Sequence, residues 1–271
     1  MVSRNDLKYN FLKNIIFRID FEGVFLPEIE NIIVEAKEYL REKSFTRYIK
    51  KENNNIEINF LTSNEVTPKI NQSKMEDIHS FSNEESGYTL DLSTKFICLM
   101  VTSQTYHPFE EYAEIVSTIL EIYKEKIPFF TIKRIGIRKI NICMLDNKNN
   151  ISKFFSKESF KFFDDFPEIN SISSFNKEFF ILENTKVNLI NEIQQGTVED
   201  KIKYQIKLDI DVYLDEENVI EEYINKNDKL NEINNINFKI FKKSLTNEFL
   251  DALINEKVEY FAELEGIERN E

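Results

Sequence analysis

The chain has 271 residues, a formal net charge of −13 and 41% hydrophobic side chains. Its length and composition indicate a globular protein with a full core, and its negative charge disfavours duplex nucleic acid as a partner, because phosphate backbones bind Lys and Arg. Only two His and two Cys occur. The side chains on which most metal sites and imidazole or thiol catalysts depend are therefore scarce, and we expect no cofactor.

The sequence also bears on the compartment. No apolar stretch reaches the roughly 18 to 20 residues that a membrane span requires. The first ten residues are polar and lack the apolar region of a signal peptide. Cys98 and Cys143 lie in apolar strand patterns, where a thiol behaves as a small hydrophobic side chain, so neither a disulfide nor a metal site is indicated. We predict a cytoplasmic protein with no membrane contact.

The first half of the chain reads as strand, helix, meander, helix. Residues 11–21 alternate between apolar and polar side chains, which predicts a half-buried strand. Pro27 is well placed to begin a helix through Lys43, whose apolar residues recur at helical spacing. Further elements follow in order: strands at 45–50 and 56–61 around an Asn turn at 53–55, a polar loop to about Met75, strands at 78–82, 88–92 and 95–102, and a helix from Pro108 that stops before Pro128.

The second half repeats that order. Residues 129–145 predict a long strand, and Ser152 caps a short Phe-rich helix to about residue 163. Three strands are predicted at 173–182, 186–194 and 201–215, with a turn containing Gly196 between the last two. Helices at 219–241 and 246–254 close the chain.

This order predicts the α+β class, with an antiparallel meander sheet covered by helices. A meander exposes one apolar face, and the helices before and after it are the available covers. Two β-α-meander-α repeats, residues 1–128 and 129–271, would form one curved sheet like the saddle of the TATA-box-binding protein or the helix-grip folds. The alternative is a single domain over residues 1–271.

The most unusual local sequence is the strand segment from 132 to 141. Arg134 and Arg138 share one face of this strand with Gly136 between them, because side chains two apart point the same way. One interpretation is a pocket for a carboxylate or phosphate, in which Asn141 also takes part. The other is that both arginines pair with carboxylates of a neighbouring strand, such as Asp20 or Glu22, and fix its register.

A second candidate pair is Asp209 and Asp211. They alternate with apolar residues along the strand at 201–215, so both side chains are predicted to face outward. Two carboxylates on one face could hold Mg²⁺ through water. The alternative is a solvated face whose acids are balanced by Lys203 and Lys207.

The two histidines carry weaker signals. His107 precedes Pro108 at a helix start, where it acts either as a general base or as a loop and capping residue. His79 lies in a strand without an acidic companion motif. No nucleophile elbow or Gly-rich phosphate loop is present in the sequence, so no catalytic residue is predicted.

Several segments together resemble a known family. They are the Gly-Tyr-Thr-Leu run at 87–90, the helix entry Tyr-His-Pro-Phe at 106–109, the Arg-Ile-Gly-Ile-Arg-Lys-Ile-Asn strand at 134–141, the Leu-Asp-Ile-Asp run at 208–211, and the helical segment at 238–249. In order, they are similar to a sporadically distributed family of bacterial proteins whose strand motif reads Arg-Ile-Gly-X-Arg-Tyr-Ile-Asn and whose C-terminal helix carries Phe followed by Ser-Ile-Thr-Asp. Lys139 replaces the motif's Tyr, and Leu245 replaces its Ile. The resemblance implies accessory genes of mobile elements or phage-defence islands, and no catalytic residues.

The sequence therefore predicts a non-catalytic adaptor, an accessory component of an anti-phage or mobile-element system that binds a protein encoded by a neighbouring gene. One alternative is a metal-dependent nucleotide- or nucleic-acid-processing protein that uses the arginine pair for phosphate and the aspartate pair for metal. Another is an acidic inhibitor of a basic partner, of the immunity or antitoxin kind. The oligomeric state is left open.

Overall fold

A computed structural model describes residues 3–59, 69–102, 108–160, 173–216, 220 and 227–270. Within these ranges the helices are α1 (Leu26–Glu42), α2 (Phe109–Lys126), α3 (Ile151–Phe154), α4 (Asn227–Ser244) and α5 (Asn247–Ile254). The strands are β1 (Tyr9–Asn10), β2 (Leu12–Glu22), β3 (Arg47–Asn59), β4 (Lys69–Asn83), β5 (Tyr88–Leu92), β6 (Phe96–Val101), β7 (Thr131–Leu145), β8 (Ser173–Leu182), β9 (Thr185–Val198), β10 (Lys201–Leu214), β11 (Leu264–Glu265) and β12 (Glu268–Arg269).

Ten of the strands form one antiparallel sheet in the order β3-β4-β5-β6-β2-β7-β10-β9-β8, with β11 also paired to β7. The long strands β2 and β7 are neighbours at the centre. Each pairs on its other side with the last strand of the meander that follows it, β6 beside β2 and β10 beside β7. The predicted α+β class, with a meander sheet and helices, is confirmed.

The helices cover one face of this sheet. Along β2 and β7 every second side chain is buried, among them Phe17, Ile19, Ile135 and Ile137. We call this the helix face, because α2 contacts β6 while α4 contacts β7 and β10. The intervening side chains lie on the opposite side, which we call the outer face. One cluster of buried side chains includes strands from both halves of the chain, and the division at residue 128 stays a prediction.

Two predicted turns and the extent of one predicted loop are wrong. Residues 53–55 do not reverse the chain, because β3 continues from Arg47 to Asn59. Its pairing with β4 shifts by a β-bulge between Glu52 and Asn54. The polar loop predicted to continue to Met75 ends earlier, because β4 begins at Lys69. In the second half, Gly196 lies within β9, and the reversal is made by Glu199 and Asp200, both with positive φ. Two left-handed residues in a two-residue loop match the right-handed twist of the strands.

The amphipathic pattern after Pro27 forms α1 as predicted, with Ile29, Ile32 and Ile33 among its buried residues. The Phe-rich helix was predicted too long and with the wrong cap. It is α3, which ends at Phe154 because Phe155 is extended and bridges Leu245, and residues 155–160 are not helical. Ser152 lies inside this helix, and Asn150 is the residue that precedes it. Residues 161–163 of the predicted helix lie outside the described residues. His107 and most of the segment at 217–226 also lie outside the described ranges. No helix in the described part of the chain is long and apolar enough to cross a membrane.

Helix α5 begins with a side-chain cap that gives a first prediction. The Thr246 hydroxyl accepts a hydrogen bond from the Phe249 amide at 3.2 Å and donates to the Lys153 carbonyl at 2.9 Å. Thr246→Ala is expected to lower the free energy of unfolding by about 1 kcal/mol, because one amide at the helix start loses its acceptor. Thr246→Ser keeps the hydroxyl and should lose much less in urea denaturation. Equal losses for the two variants would show that the cap contributes nothing.

Candidate binding sites on the two faces of the sheet

Arg134 and Arg138 lie on the outer face and point towards β10. The Arg138 side chain donates from Nε to one Asp209 oxygen at 2.8 Å and from Nη2 to the other at 2.6 Å. Arg134 donates from Nη2 to both Asp211 oxygens, at 2.9 and 3.0 Å. Arg138 is directly opposite Asp211 in the sheet, so the ion pairs run diagonally between β7 and β10. The two candidate pairs therefore meet and neutralise one another.

Asp209 is the most enclosed member of the two ion pairs. The Asp209 side chain is 1% exposed and that of Arg138 is 40% exposed. Hydrogen bonding to the Asp209 carboxylate raises the pKa of Arg138. A buried carboxylate is tolerated when a cation and hydrogen bonds compensate its lost hydration. Lys207 is the next nearest cation, with its Nζ at 3.7 Å from an Asp209 oxygen.

Arg134 is fixed by contacts on three sides. Its guanidinium lies 4.4 Å from the centre of the Tyr213 ring, and its Nη1 is 3.7 Å from an Asp20 oxygen. A Cβ placed on Gly136 would come within 2.8 Å of the Tyr213 Cβ and 3.2 Å of the Arg134 Nη2. The space left by the absent side chain of Gly136 is thus filled by groups of the protein itself.

These contacts match the interpretation in which both arginines bind carboxylates of a neighbouring strand. The main partners are Asp209 and Asp211, with Asp20 a secondary partner of Arg134. Among the residues that the structure describes, no group of three or more His, Cys, Asp or Glu side chains is placed to hold a metal ion. A ligand-binding role for Arg134 and Arg138 stays a prediction.

Asn141 does not join the two arginines, because it lies on the helix face of β7. Its side chain is buried, and its Nδ2 donates to the Leu208 carbonyl at 3.1 Å. Lys139 precedes it on the same face and is also buried. The predicted set of three binding residues is therefore divided between the two sides of the sheet.

The remaining candidates are occupied or enclosed. The His79 Nδ1 lies 2.9 Å from the Tyr48 hydroxyl, and burial lowers the pKa of His79. Cys98 and Cys143 are free thiols. Burial raises the pKa of Cys98 to about 11, and it raises the pKa of Cys143 as well. Neither thiol has the depressed pKa that marks a reactive cysteine.

A further surface, which the sequence analysis did not single out, lies on strand β8. Phe175, Phe179 and Ile181 are 64%, 59% and 68% exposed. Phe175 is opposite Glu192 and Phe179 is opposite Asn188, so these side chains lie on the outer face. We call these three residues the β8 patch. The sequence signal was present, because apolar side chains occupy both alternating faces of this strand, with Phe180 and Leu182 on the face opposite the patch. A strand with one buried face does not require this.

Strand β8 lies at the edge of the sheet formed by the described strands. It is the last strand in the sheet order, and β9 is its pairing partner among the described strands. An edge strand presents backbone N–H and C=O groups along its outer side, and proteins usually blunt such edges with charges. Lys177 is the charged residue between Phe175 and Phe179 on the outer face. The patch thus combines exposed aromatic side chains with a strand edge.

No family model matches the sequence, and no curated protein matches it. Its resemblance to the sporadically distributed bacterial family stays a prediction.

Proposed function

We propose that the chain is a non-catalytic binding protein whose β8 patch docks another protein. The observation that carries this proposal is the exposure of Phe175, Phe179 and Ile181 together on one edge strand. Exposed large apolar side chains grouped on one strand are typical of protein interaction sites, where aromatic side chains are enriched and contribute much of the binding energy.

The geometry of β8 also favours a particular mode of docking. Among the described strands, the side of β8 away from β9 is unpaired. A partner strand that pairs with this edge would satisfy its main-chain groups, and the apolar side chains of that strand would pack on Phe175 and Phe179. A partner with an apolar β-hairpin or an extended segment meets both requirements. The single cation Lys177 between the aromatics would favour an acidic residue in that segment.

We place this adaptor in the cytoplasm, as an accessory component of an anti-phage or mobile-element system with a partner encoded by a neighbouring gene. The support for this setting is the family resemblance of the sequence. The ion pairs of Arg134 and Arg138 with aspartates support a structural role for these four residues. They give no support to the alternative of a metal-dependent nuclease or nucleotide-processing protein.

The test compares capture of the partner by the wild type and by a patch variant. Tagged protein expressed in its own host should retain a specific partner, identified by mass spectrometry after cross-linking. The double substitution Phe175→Thr and Phe179→Thr keeps strand propensity and is expected to reduce recovery of that partner at least about tenfold. The control is Phe129→Thr, which alters a 76% exposed aromatic residue outside the patch and should leave recovery unchanged.

Two results would contradict the proposal. Equal recovery of the partner by the wild type and the patch variant would remove the β8 patch as the interface. Turnover of nucleic acids, nucleotides or cyclic nucleotides with divalent metal, abolished by a single substitution, would end the non-catalytic interpretation. Sedimentation equilibrium would show whether the partner is a different protein or a second copy of the chain. A strongly basic partner whose activity is blocked by binding would favour the inhibitor alternative.

A further inference from the structure

A small cavity lies beneath helix α4, on the helix face of β7. Its volume is about 40 Å³. A water molecule, which has one heavy atom, needs about 10 to 15 Å³ of cavity volume measured in this way. The cavity therefore has room for a group of three or four heavy atoms. Its walls include the rings of Phe238 and Phe241, and its polar lining includes Arg4, Lys139 and Asn237.

Lys139 is the unusual member of this lining. It is 9% exposed, and its ammonium makes no hydrogen bond or ion pair among the described residues. Burial, and to a smaller extent the charge of Arg4, lower the pKa of Lys139 to about 7. A buried ammonium without a counter-ion is expensive, and the group responds by losing its proton more readily. Lys139 is therefore a cation without a partner anion among the side chains that the structure describes.

Arg4 brings a second incompletely paired cation to the cavity. Its Nη2 lies 3.1 Å from a Glu110 oxygen and 3.3 Å from the Asn231 Oδ1. Its Nη1 is buried, and no described residue accepts a hydrogen bond from it. Nη2 is thus bound by Glu110 of α2 and Asn231 of α4. Nη1 has hydrogens that it can still donate to a ligand.

Asn237 is held rigidly beside these two cations. Its Nδ2 donates to the Ile137 carbonyl at 3.3 Å and to the Ile210 carbonyl at 2.9 Å, and so fixes the amide between β7 and β10. Its Oδ1 is buried without a donor among the described residues. The amide is thus fixed in place, with an oxygen whose hydrogen-bonding capacity no described donor uses.

We propose that this cavity binds the carboxylate of a small organic acid, with Lys139 and Arg4 as its cationic partners and a short alkyl group against Phe238 and Phe241. A carboxylate supplies the counter-charge that Lys139 lacks among the described residues and an acceptor for the unpaired Nη1 of Arg4. Its size is one that the cavity admits. Phosphate carries more heavy atoms than this volume holds. Condensation of Lys139 with a carbonyl compound is disfavoured, because the described lining contains no carboxylic acid, His, Tyr or Cys to transfer protons.

The first test is isothermal titration of the wild type with sodium acetate at about pH 6, where most of Lys139 is protonated. Sodium chloride at equal ionic strength is the reference. Acetate is expected to bind and to raise the melting temperature. Lys139→Met keeps the length of the side chain and should weaken binding at least about tenfold, as expected for loss of a charge-assisted hydrogen bond. The control is Lys133→Met, an exposed lysine on β7 paired with Glu22, which should bind acetate like the wild type.

The second test uses the wild type alone, so it does not depend on a variant that folds. A bound carboxylate raises the pKa of Lys139, so above about pH 7 each binding event should take up close to one proton. The affinity should fall about tenfold per pH unit over that range. Among the described lining, Arg4 is the other charged group, while the remaining lining residues are amides, Leu and Phe. Titrations in buffers with different ionisation heats measure the proton uptake directly.

Several outcomes would overturn the proposal. The first is that acetate produces neither a binding heat nor a rise in melting temperature. The second is acetate binding that Lys139→Met leaves unchanged, and the third is acetate binding without proton uptake at about pH 8. Tighter binding of inorganic phosphate than of acetate would replace the carboxylate with another anion. The result is independent of the β8 patch, since Phe175 and Phe179 lie on the outer face and the cavity lies on the helix face.

Discussion

Arg138→Ala is expected to lower the free energy of unfolding by about 2 to 4 kcal/mol. The substitution leaves the Asp209 carboxylate, which is 1% exposed, without its two-point partner. Removing one member of a buried pair costs more than the pair contributes, because the remaining charge stays out of water. The loss falls below that of a fully buried pair, since Arg138 is 40% exposed and Lys207 lies 3.7 Å from the carboxylate. Urea denaturation of both proteins measures the difference.

The matched control replaces both members of the pair. Arg138→Leu with Asp209→Leu removes the charges together and should recover most of the stability that Arg138→Ala loses. Lys207→Ala, which removes the more distant cation, should cost less than about 1 kcal/mol. If Arg138→Ala is as stable as the wild type, and sulfate stabilises the wild type but not the variant, the arginine pair is an anion site and the structural assignment is wrong.

Gly23→Ala is expected to destabilise the protein by about 2 to 5 kcal/mol, the sum of backbone strain and displacement of a neighbouring strand. Gly23 follows β2 with a φ of +93°, a conformation that residues with a Cβ rarely adopt. A Cβ at this position would overlap the carbonyl oxygen of Phe129, a backbone atom just before β7. A flexible side chain could move away, but a main-chain carbonyl moves only with its strand.

Gly196→Ala is the control for this substitution. Gly196 lies in β9, and a Cβ there would have no described atom within 4 Å. Its replacement should change the free energy of unfolding by no more than about 0.5 kcal/mol, with stabilisation the expected direction. Thermal melts of both variants decide the matter, and similar losses at the two glycines would contradict the assignment of Gly23 as a close-packed turn.

The sequence predicted the sheet best where one face is buried. Alternation of apolar and polar residues located β2, β7 and β10 within one or two residues, because the period of two is imposed by burial on the helix face. A different rule, turn composition, failed at residues 53–55. There an Asn-rich run looked like a turn, but pairing with β4 extends the strand through a bulge. Turn composition is a local signal, and strand pairing overrides it.

The candidate sites were harder to predict, because their residues converge from distant parts of the chain. Arg134 and Asp211 are 77 positions apart, and their diagonal pairing depends on the register of β7 against β10. Alternation placed both on one face, but it gave no information about which strands were neighbours. Likewise, the contact of Asn237 with the Ile137 carbonyl spans 100 positions. No pattern in the sequence revealed that Lys139, a substitution within the family motif, would be buried beneath this helix.

The pairing of β1 with β12 has a consequence for synthesis of the chain. Tyr9 is opposite Arg269, and the Asn270 amide donates to the Lys8 carbonyl at 2.8 Å. Asn10 and Asn270, which are hydrogen-bonded to each other across 260 positions, both line the cavity under α4. During synthesis, residues 9 and 10 therefore cannot complete their pairing until residues 268–270 have been made. A nascent chain that stops before β12 lacks Asn270, one of the residues that line the cavity, and cannot assemble the complete site.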